Sequence, residues 1–387
     1  MFPEKRNGSF SIMKIVFTGG GSGGHFYPII AVAEAMLYSA REKKLLPPVL
    51  YFFSDDTYDK KALFDNGIKF RQIKAGKLRR YFSAQNFIDF FKTGWGIIQA
   101  LIALYGIFPD VVFCKGGYAS FPTLLAAKLL RIPVVIHESD SVPGRVNLFA
   151  GSFAKRIAIS YAEAGSYFPK DRTAYTGNPL RQAIKTPIKQ GAHEFLKLSD
   201  GTPVILILGG SLGAEKINDV IIEALPELLV KYQIIHKTGV ANLNEVISTT
   251  KITLRGNQNE NRYRPFGYLN DLALRMSAGV ANLVVSRAGS GIFEIAHWGI
   301  PSILVPITDS NGDHQRKNAF NYARSGAAIV IEEANFSPHL LVSEIDRLFA
   351  DPSQMEEMSK RAKEFSHNDA AELIANEILE IALEHES

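Results

Sequence analysis

Lys14-Ile-Val-Phe-Thr18, followed without a break by Gly19-Gly-Gly-Ser-Gly-Gly24-His25, is the stretch that decides how this chain folds. Its first five residues form a short apolar, β-branched run, the pattern of a buried strand. Glycines then turn the chain, and an apolar, helix-patterned run follows over residues 28–38, with Pro28 placed where a first helical turn tolerates proline. Strand, glycine turn and helix open a doubly wound α/β unit, because parallel strands need a crossover between them. The glycines let backbone N–H groups approach a ligand with no Cβ in the way. A helix start behind them adds partial positive charge, so an anion fits this turn, although a tight turn with no ligand would read the same. His25 at its end is a candidate general base near neutral pH, or a structural donor.

Working outward, further strands are expected at residues 49–53, 109–114 and 133–136, with a helix over 122–130. The pattern then restarts. Pro203-Val-Ile-Leu-Ile-Leu208 reads as a strand, Gly209-Gly-Ser-Leu-Gly-Ala214 as a second glycine turn, and a helical run continues to Leu229. Later strands are expected at 232–236, 282–286 and 301–306. The chain has 387 residues, beyond the roughly 250–300 at which one core stops growing. Residues 1–12 read as an N-terminal extension, 13–178 as one Rossmann-like domain and 179–365 as a second. A helical segment over about 366–387 has the first domain as its candidate packing partner. Ligands of open parallel sheets sit outside the carboxyl ends of the strands, so two facing domains would place both glycine turns at one cleft.

Composition bounds the function. Hydrophobic residues make up 46% and charged residues 21%, ordinary for a soluble globular chain. A single cysteine, Cys114, excludes an intramolecular disulfide and fits a reducing compartment, as it would a disulfide-free secreted chain. A net charge of +4 suits an anionic substrate or membrane surface and is too small to argue for nucleic acid. The N-terminal residues lack the apolar run of a signal peptide. The densest apolar segment, 95–108, is shorter than the roughly 20 residues a membrane span needs, so no span is expected. Neither glycine turn ends in Gly-Lys-Ser/Thr, which argues against a P-loop ATPase. His137, Glu138, Asp313 and His314 lie on separate segments without metal-ligand spacing, so no metal is expected. Lys74, Lys77, Arg79 and Arg80 precede Tyr81 and Phe82, and a run with Phe87, Phe90, Phe91, Trp95 and Ile98 follows. A basic edge beside an aromatic helix is what a membrane-surface site needs; a core helix beside a solvated loop would read the same.

Several motifs then occur in order: Thr18 to His25, Lys115-Gly-Gly-Tyr-Ala-Ser120, His137-Glu138 with Pro143-Gly144, Gly177-Asn-Pro-Leu-Arg181, Gly209 to Ala214, Ser286-Arg-Ala-Gly289 with Glu294, and Asp313-His-Gln315 with Asn318-Ala319. From Met13 onward the chain resembles the MurG family of bacterial N-acetylglucosaminyltransferases. The resemblance implies a GT-B fold and inverting transfer of GlcNAc from UDP-GlcNAc to the C4 hydroxyl of undecaprenyl-pyrophosphoryl-MurNAc-pentapeptide. It implies peripheral contact with an anionic membrane, on the cytoplasmic face, and no cofactor. His25 matches the candidate base. Ser22, Gly23 and Gly24, with Tyr118 and Asn147, would serve the acceptor. Ser22, Gly24, Asp140, Asn147, Arg181, Ser211, Asn218, Leu269, Glu294 and Gln315 would serve the donor. Within that set, the Leu269 backbone would lie against uracil, Glu294 would accept from ribose hydroxyls and Gln315 would fall in the segment contacting GlcNAc. Ser211 and Arg181 would meet leaving-group charge. The chain departs from the family at Asp140, where an amide is usual, and before Glu294, where it is one residue short and lacks the usual threonine. A UDP-GlcNAc 2-epimerase, a related transferase with another lipid or natural-product acceptor, a nicotinamide oxidoreductase reading ribose through Ser54-Asp55-Asp56, and a non-catalytic UDP-sugar sensor are the alternatives.

Overall fold

Apolar runs alternate with helices along this chain, and the central runs become parallel strands buried on both faces. The structure is a computed structural model and describes residues 12–77, 84–209, 214–308 and 311–384. The described strands form two sheets. The first holds β1 (Lys14–Thr18), β2 (Val49–Ser54), β3 (Lys69–Gln72), β4 (Val111–Cys114), β5 (Val134–Glu138), β6 (Arg156–Ile159) and β7 (Thr173–Tyr175), in the order β3-β2-β1-β4-β5-β6-β7. The second holds β8 (Val204–Leu208), β9 (Gln233–Lys237), β10 (Tyr263–Phe266), β11 (Ala281–Ser286), β12 (Ser302–Leu304) and β13 (Ala328–Val330), in the order β10-β9-β8-β11-β12-β13. Every pairing is parallel. Each chain path runs outward from its first strand, then returns to that strand's other side. The reversal falls between β1 and β4 in one sheet and between β8 and β11 in the other, and such reversals open the crevices that ligands use. The fold is of the GT-B type, built from two Rossmann-like units.

The chain divides into two compact units. One runs up to Glu138, resumes over Pro143–Pro179 and takes the chain from Asp369 onward; the other comprises Ser139–Val142 and Leu180–Asn368. In the first unit the helix Ala370–Glu384 packs on the helix Gly23–Glu42. It buries Ile374, Ile378, Leu379 and Ile381 in the core that holds Phe17 and Phe26. Four such aliphatic side chains contribute about 1.5–3 kcal/mol each. Arg156 pairs with Glu377 at 2.7 Å, and Lys155 pairs with Glu384.

Two expectations are corrected. The first helix begins at Gly23, not at residue 28, so Pro28 lies inside it. Ser22 stands at its N-cap and two glycines form its first turn, where N–H groups need no intrahelical partner. Pro28 lacks the N–H that would reach the Gly24 carbonyl one turn back. The apolar helix spans Ala84–Ile107, and its segment Phe87–Ile107 is long and apolar enough, by length and composition, to cross a membrane. Asp89 and Lys92 interrupt the apolar run before Trp95, so the run is shorter in sequence than the helix that carries it.

That helix is amphipathic in an inverted sense. Small residues face inward: Ala100 and Ala103 are buried beside Leu104, and a Cβ on Gly96 would lie 1.7 Å from the Lys74 carbonyl oxygen. Large apolar residues face outward, with Phe87 69%, Phe90 69%, Phe91 61% and Trp95 54% exposed. The inward face takes the segment after β3, where Lys74 N–H donates to Gln99 Oε1 at 3.1 Å and Gly76 N–H to Thr93 Oγ1 at 3.0 Å. We therefore expect Gly96→Ala to cost about 1–3 kcal/mol through overpacking. Gly94→Ala, with nothing within 4 Å of the added carbon, should stabilise by about 0.5–1 kcal/mol through helix propensity. Denaturant midpoints of the two variants should move in opposite directions.

Candidate active site

At the carboxyl edge of the first sheet two glycine turns meet. The turn after β1 carries Gly20 (φ 155°) and Gly21 (φ 88°); the turn after β4 carries Gly116 (φ 91°) and Gly117 (φ 87°). A Cβ on Gly117 would lie 2.4 Å from the Gly20 carbonyl oxygen, and one on Gly20 would lie 2.5 Å from Ser54 Oγ. No side chain is tolerated at either position. Under Gly21 lies the Tyr118 ring, and the Tyr118 hydroxyl donates to Asp55 Oδ2 at 2.6 Å. Burial, and then that bond, raise the phenol pKa above its usual value, so Tyr118 stays a donor. Asp55, the acidic candidate of the nicotinamide reading, is thus engaged by Tyr118.

Ser22 and His25 face each other across the first helical turn, with Ser22 Oγ 3.0 Å from His25 Nδ1. The hydroxyl makes no bond to the helix N–H groups. If Nδ1 carries the proton and donates to Ser22, the opposite nitrogen, Nε2, is the basic one. Both glycine turns also spell Gly-x-Ser-x-Gly, the signature of a hydrolase elbow, so sequence alone does not set a serine hydrolase aside. For the first turn the backbone of Ser22 does: at φ −161° and ψ 162° it is extended, without the strain of an elbow.

Behind this edge lies a buried polar frame. Asn147 is 3% exposed; its amide donates to the His137 carbonyl at 3.1 Å and to Glu138 Oε2 at 2.9 Å. Glu138 also accepts from Gly144 N–H at 3.0 Å. A Cβ on Gly116 would press on Asn147, so this amide shapes the second turn from below. His137 Nε2 is 3.0 Å from the Gly177 carbonyl, and burial followed by the charge of Lys115 holds the ring well below its usual pKa. It is a neutral donor to that carbonyl. Cys114, whose thiol is pushed up to about 11 mainly by burial, remains protonated beneath the same turn.

In the second unit Ser211 lies outside the described residues, as do Gly210, Leu212 and Gly213 of its turn. Arg181 is placed differently from the expected bare counter-charge. Its two terminal nitrogens fork onto Asp271, at 3.0 and 2.9 Å. Glu294 sits near this pair and near Lys237; burial raises its pKa, and Lys237 and Arg181 partly offset that rise. Lys237 ends β9 opposite Leu208, the last residue before the second glycine turn, and lies 5.9 Å from the centre of the Tyr268 ring. Sequence reasoning missed Lys237 and Asp271, although the strand-end rule points to Lys237 once β9 is drawn to its last residue. Leu269 follows Tyr268, with its side chain buried in the core.

Asn218 is 2% exposed and built into the frame: its amide donates to the Thr238 carbonyl at 3.1 Å, and its oxygen is 3.0 Å from His236 Nε2. The other His236 nitrogen is 2.8 Å from the Tyr263 hydroxyl. Burial lowers the His236 pKa to about 3, so a neutral ring donates to Asn218 and accepts from Tyr263. Asp140 accepts from Asn318 Nδ2 at 2.8 Å, while Asn318 Oδ1 accepts from Ser141 N–H and hydroxyl, each at 2.9 Å. A carboxylate at 140 suits the Asn318 amide, which needs an acceptor there. Gln315 Oε1 accepts from Ile307 N–H at 3.2 Å, tying the helix His314–Arg324 to the loop after β12.

Comparison with known proteins agrees with the two-unit α/β fold. Residues 15–159 match the glycosyltransferase family 28 N-terminal domain, and residues 204–374 match the family 28 C-terminal domain. The UDP-N-acetylglucosamine--N-acetylmuramyl-(pentapeptide) pyrophosphoryl-undecaprenol N-acetylglucosamine transferase 2 of Bacillus cereus is 37% identical over 95% of this chain and 99% of its own. The crystal structure of Acinetobacter baumannii MurG is similar with a TM-score of 0.70, at 24% identity over 96% of this chain and 100% of that one. A putative UDP-N-acetylglucosamine 2-epimerase from Listeria monocytogenes has a TM-score of 0.69 at 15% identity, over 97% of both chains. Fold alone therefore does not separate transferase from epimerase, whereas sequence identity along the whole chain does. The chain belongs to the MurG family of UDP-GlcNAc-dependent N-acetylglucosaminyltransferases.

Proposed function

We propose that this chain moves GlcNAc from UDP-GlcNAc to the C4 hydroxyl of undecaprenyl-pyrophosphoryl-MurNAc-pentapeptide, with inversion, in peptidoglycan synthesis. The observation that carries the mechanism is the Ser22–His25 contact at the start of the helix behind the first glycine turn. His25 Nδ1–H donates to Ser22, leaving Nε2 to take the proton of the attacking hydroxyl. The acceptor oxygen forms its bond to the anomeric carbon as the bond to UDP breaks, so one displacement inverts the centre. The electron pair leaves on the diphosphate. Backbone N–H groups and Ser211 of the second glycine turn meet that charge, with Lys237 at the end of the adjacent strand.

On the acceptor side, Ser22, Gly23 and Gly24 offer the helix start to the pyrophosphate, and Tyr118 supports the turn. Asn147 works through Glu138 and Gly116. On the donor side Glu294 accepts from the ribose, Leu269 borders the uracil and Gln315 the sugar. Arg181 contributes through Asp271 and through its field on Glu294, and Asn218 through the strand it fixes. The exposed aromatic face of helix Ala84–Ile107, with Lys74, Lys77 and Lys92 exposed nearby in the chain, suits peripheral binding to an anionic membrane.

With UDP-GlcNAc and the lipid-linked acceptor, UDP should be released together with disaccharide product, and omission of the acceptor should abolish both. Formation of UDP-ManNAc without acceptor would instead make the chain an epimerase. His25→Ala should lower kcat by roughly 10²–10⁴ with donor affinity retained, and near-wild-type turnover would remove His25 as the base. Replacing Phe87, Phe91 and Trp95 by serine should release the protein from anionic vesicles in a flotation assay, while turnover of a short-chain, water-soluble acceptor persists. Undiminished flotation would place the membrane contact elsewhere.

A further inference from the structure

Three successive strand-end loops of the second sheet are joined by one buried guanidinium. Arg287 follows β11, and its side chain is 9% exposed. It donates to the Val305 carbonyl after β12 at 3.2 Å and pairs with Glu333 after β13 at 2.5 Å. The other Glu333 oxygen accepts from Thr308 N–H at 3.1 Å and from the Thr308 hydroxyl at 3.0 Å. Burial alone would raise the Glu333 pKa; the bonds from Thr308 and Arg287 outweigh it and hold the carboxyl below its usual value.

Its neighbour holds the far end of the same loop. Glu332 pairs with Arg316 at 2.8 Å, and Arg316 lies 3.6 Å from Asp313. Asp313 has φ 59°, following Gly312 at φ 70°, just before the helix that carries Gln315. A left-handed aspartate is a minor conformation that persists only where its surroundings hold it. Adjacent carboxylates thus hold Thr308 on one side and Arg316 on the other, and Gln315 is tied back to Ile307. Residues 309 and 310 lie outside the described residues.

We infer that Glu333, fixed by Arg287, is a positioning residue for sugar selection: it sets the entry of the loop that presents Gln315 to the donor sugar. The inference rests on the proposed reading of Gln315. It predicts a particular split, because the ribose and uracil contacts sit on other loops. In the full-length protein Glu333→Gln should lower the ratio of kcat/KM for UDP-GlcNAc over its C4 epimer UDP-GalNAc by about tenfold, while inhibition by UDP changes less than twofold. Thr308→Val, which removes the hydroxyl bond and keeps the backbone one, should lower the ratio by about threefold and guards against a folding defect in the first variant. An unchanged ratio in both variants, or a parallel weakening of UDP, overturns the inference. A wild-type protein that does not discriminate the two sugars removes the reading of Gln315, and the inference with it.

Discussion

The close approach of Gly20 and Gly117 is the constraint on which the first unit's edge depends. Their backbones come so near that a single Cβ would collide with a carbonyl oxygen. That proximity follows from topology. β1 and β4 are neighbours across the reversal of strand order, so the turns leaving them open side by side. Packing the two turns together brings Tyr118 under Gly21 and Asn147 under Gly116, and leaves the start of the first helix, with Ser22 and His25, beside them. A side chain at Gly117 would push the turns apart, and one at Gly20 would press on Ser54 and Ala119.

Charge at the second edge is arranged differently. Arg181 does not stand as a bare cation, because Asp271 occupies its fork. Such a pair keeps a largely buried guanidinium in place at little net gain in stability, since desolvation offsets much of the attraction. Its use is geometric and electrostatic: together with Lys237 it opposes the effect of burial on Glu294 and so favours the carboxylate form. Much of the polar machinery at both edges is held by buried amides and imidazoles, Asn147 with His137 and Asn218 with His236, whose hydrogen bonds leave the strand ends little freedom to shift.

Helix Ala84–Ile107 shows why a composition-based reading of an apolar run is incomplete. Hydropathy alone fits a core helix, a membrane span or a surface helix. Packing separates these, since the small residues are taken up by the domain and the aromatic ones are left outside. An exposed face this apolar is uncommon on a monomeric soluble protein, where such patches commonly serve interactions.

The sequence by itself determined the alternation of strands and helices, the restart at residue 203 and the positions of both glycine turns, because local periodicity and glycine chemistry are properties of neighbouring residues. It also singled out His25, Arg181, Glu294 and Gln315. Only the tertiary structure decided what those residues do among themselves. Asn147 and Asn218 read as ligand contacts in one dimension, and the fold also ties their amides into the frame, through partners from strands and loops up to 20 positions away. Arg181 meets Asp271 across 90 positions, and Arg287 meets Val305 and, through Glu333, Thr308. Hydrogen-bond partners of this kind are set by strand order rather than by spacing along the chain, so no local pattern could have announced them.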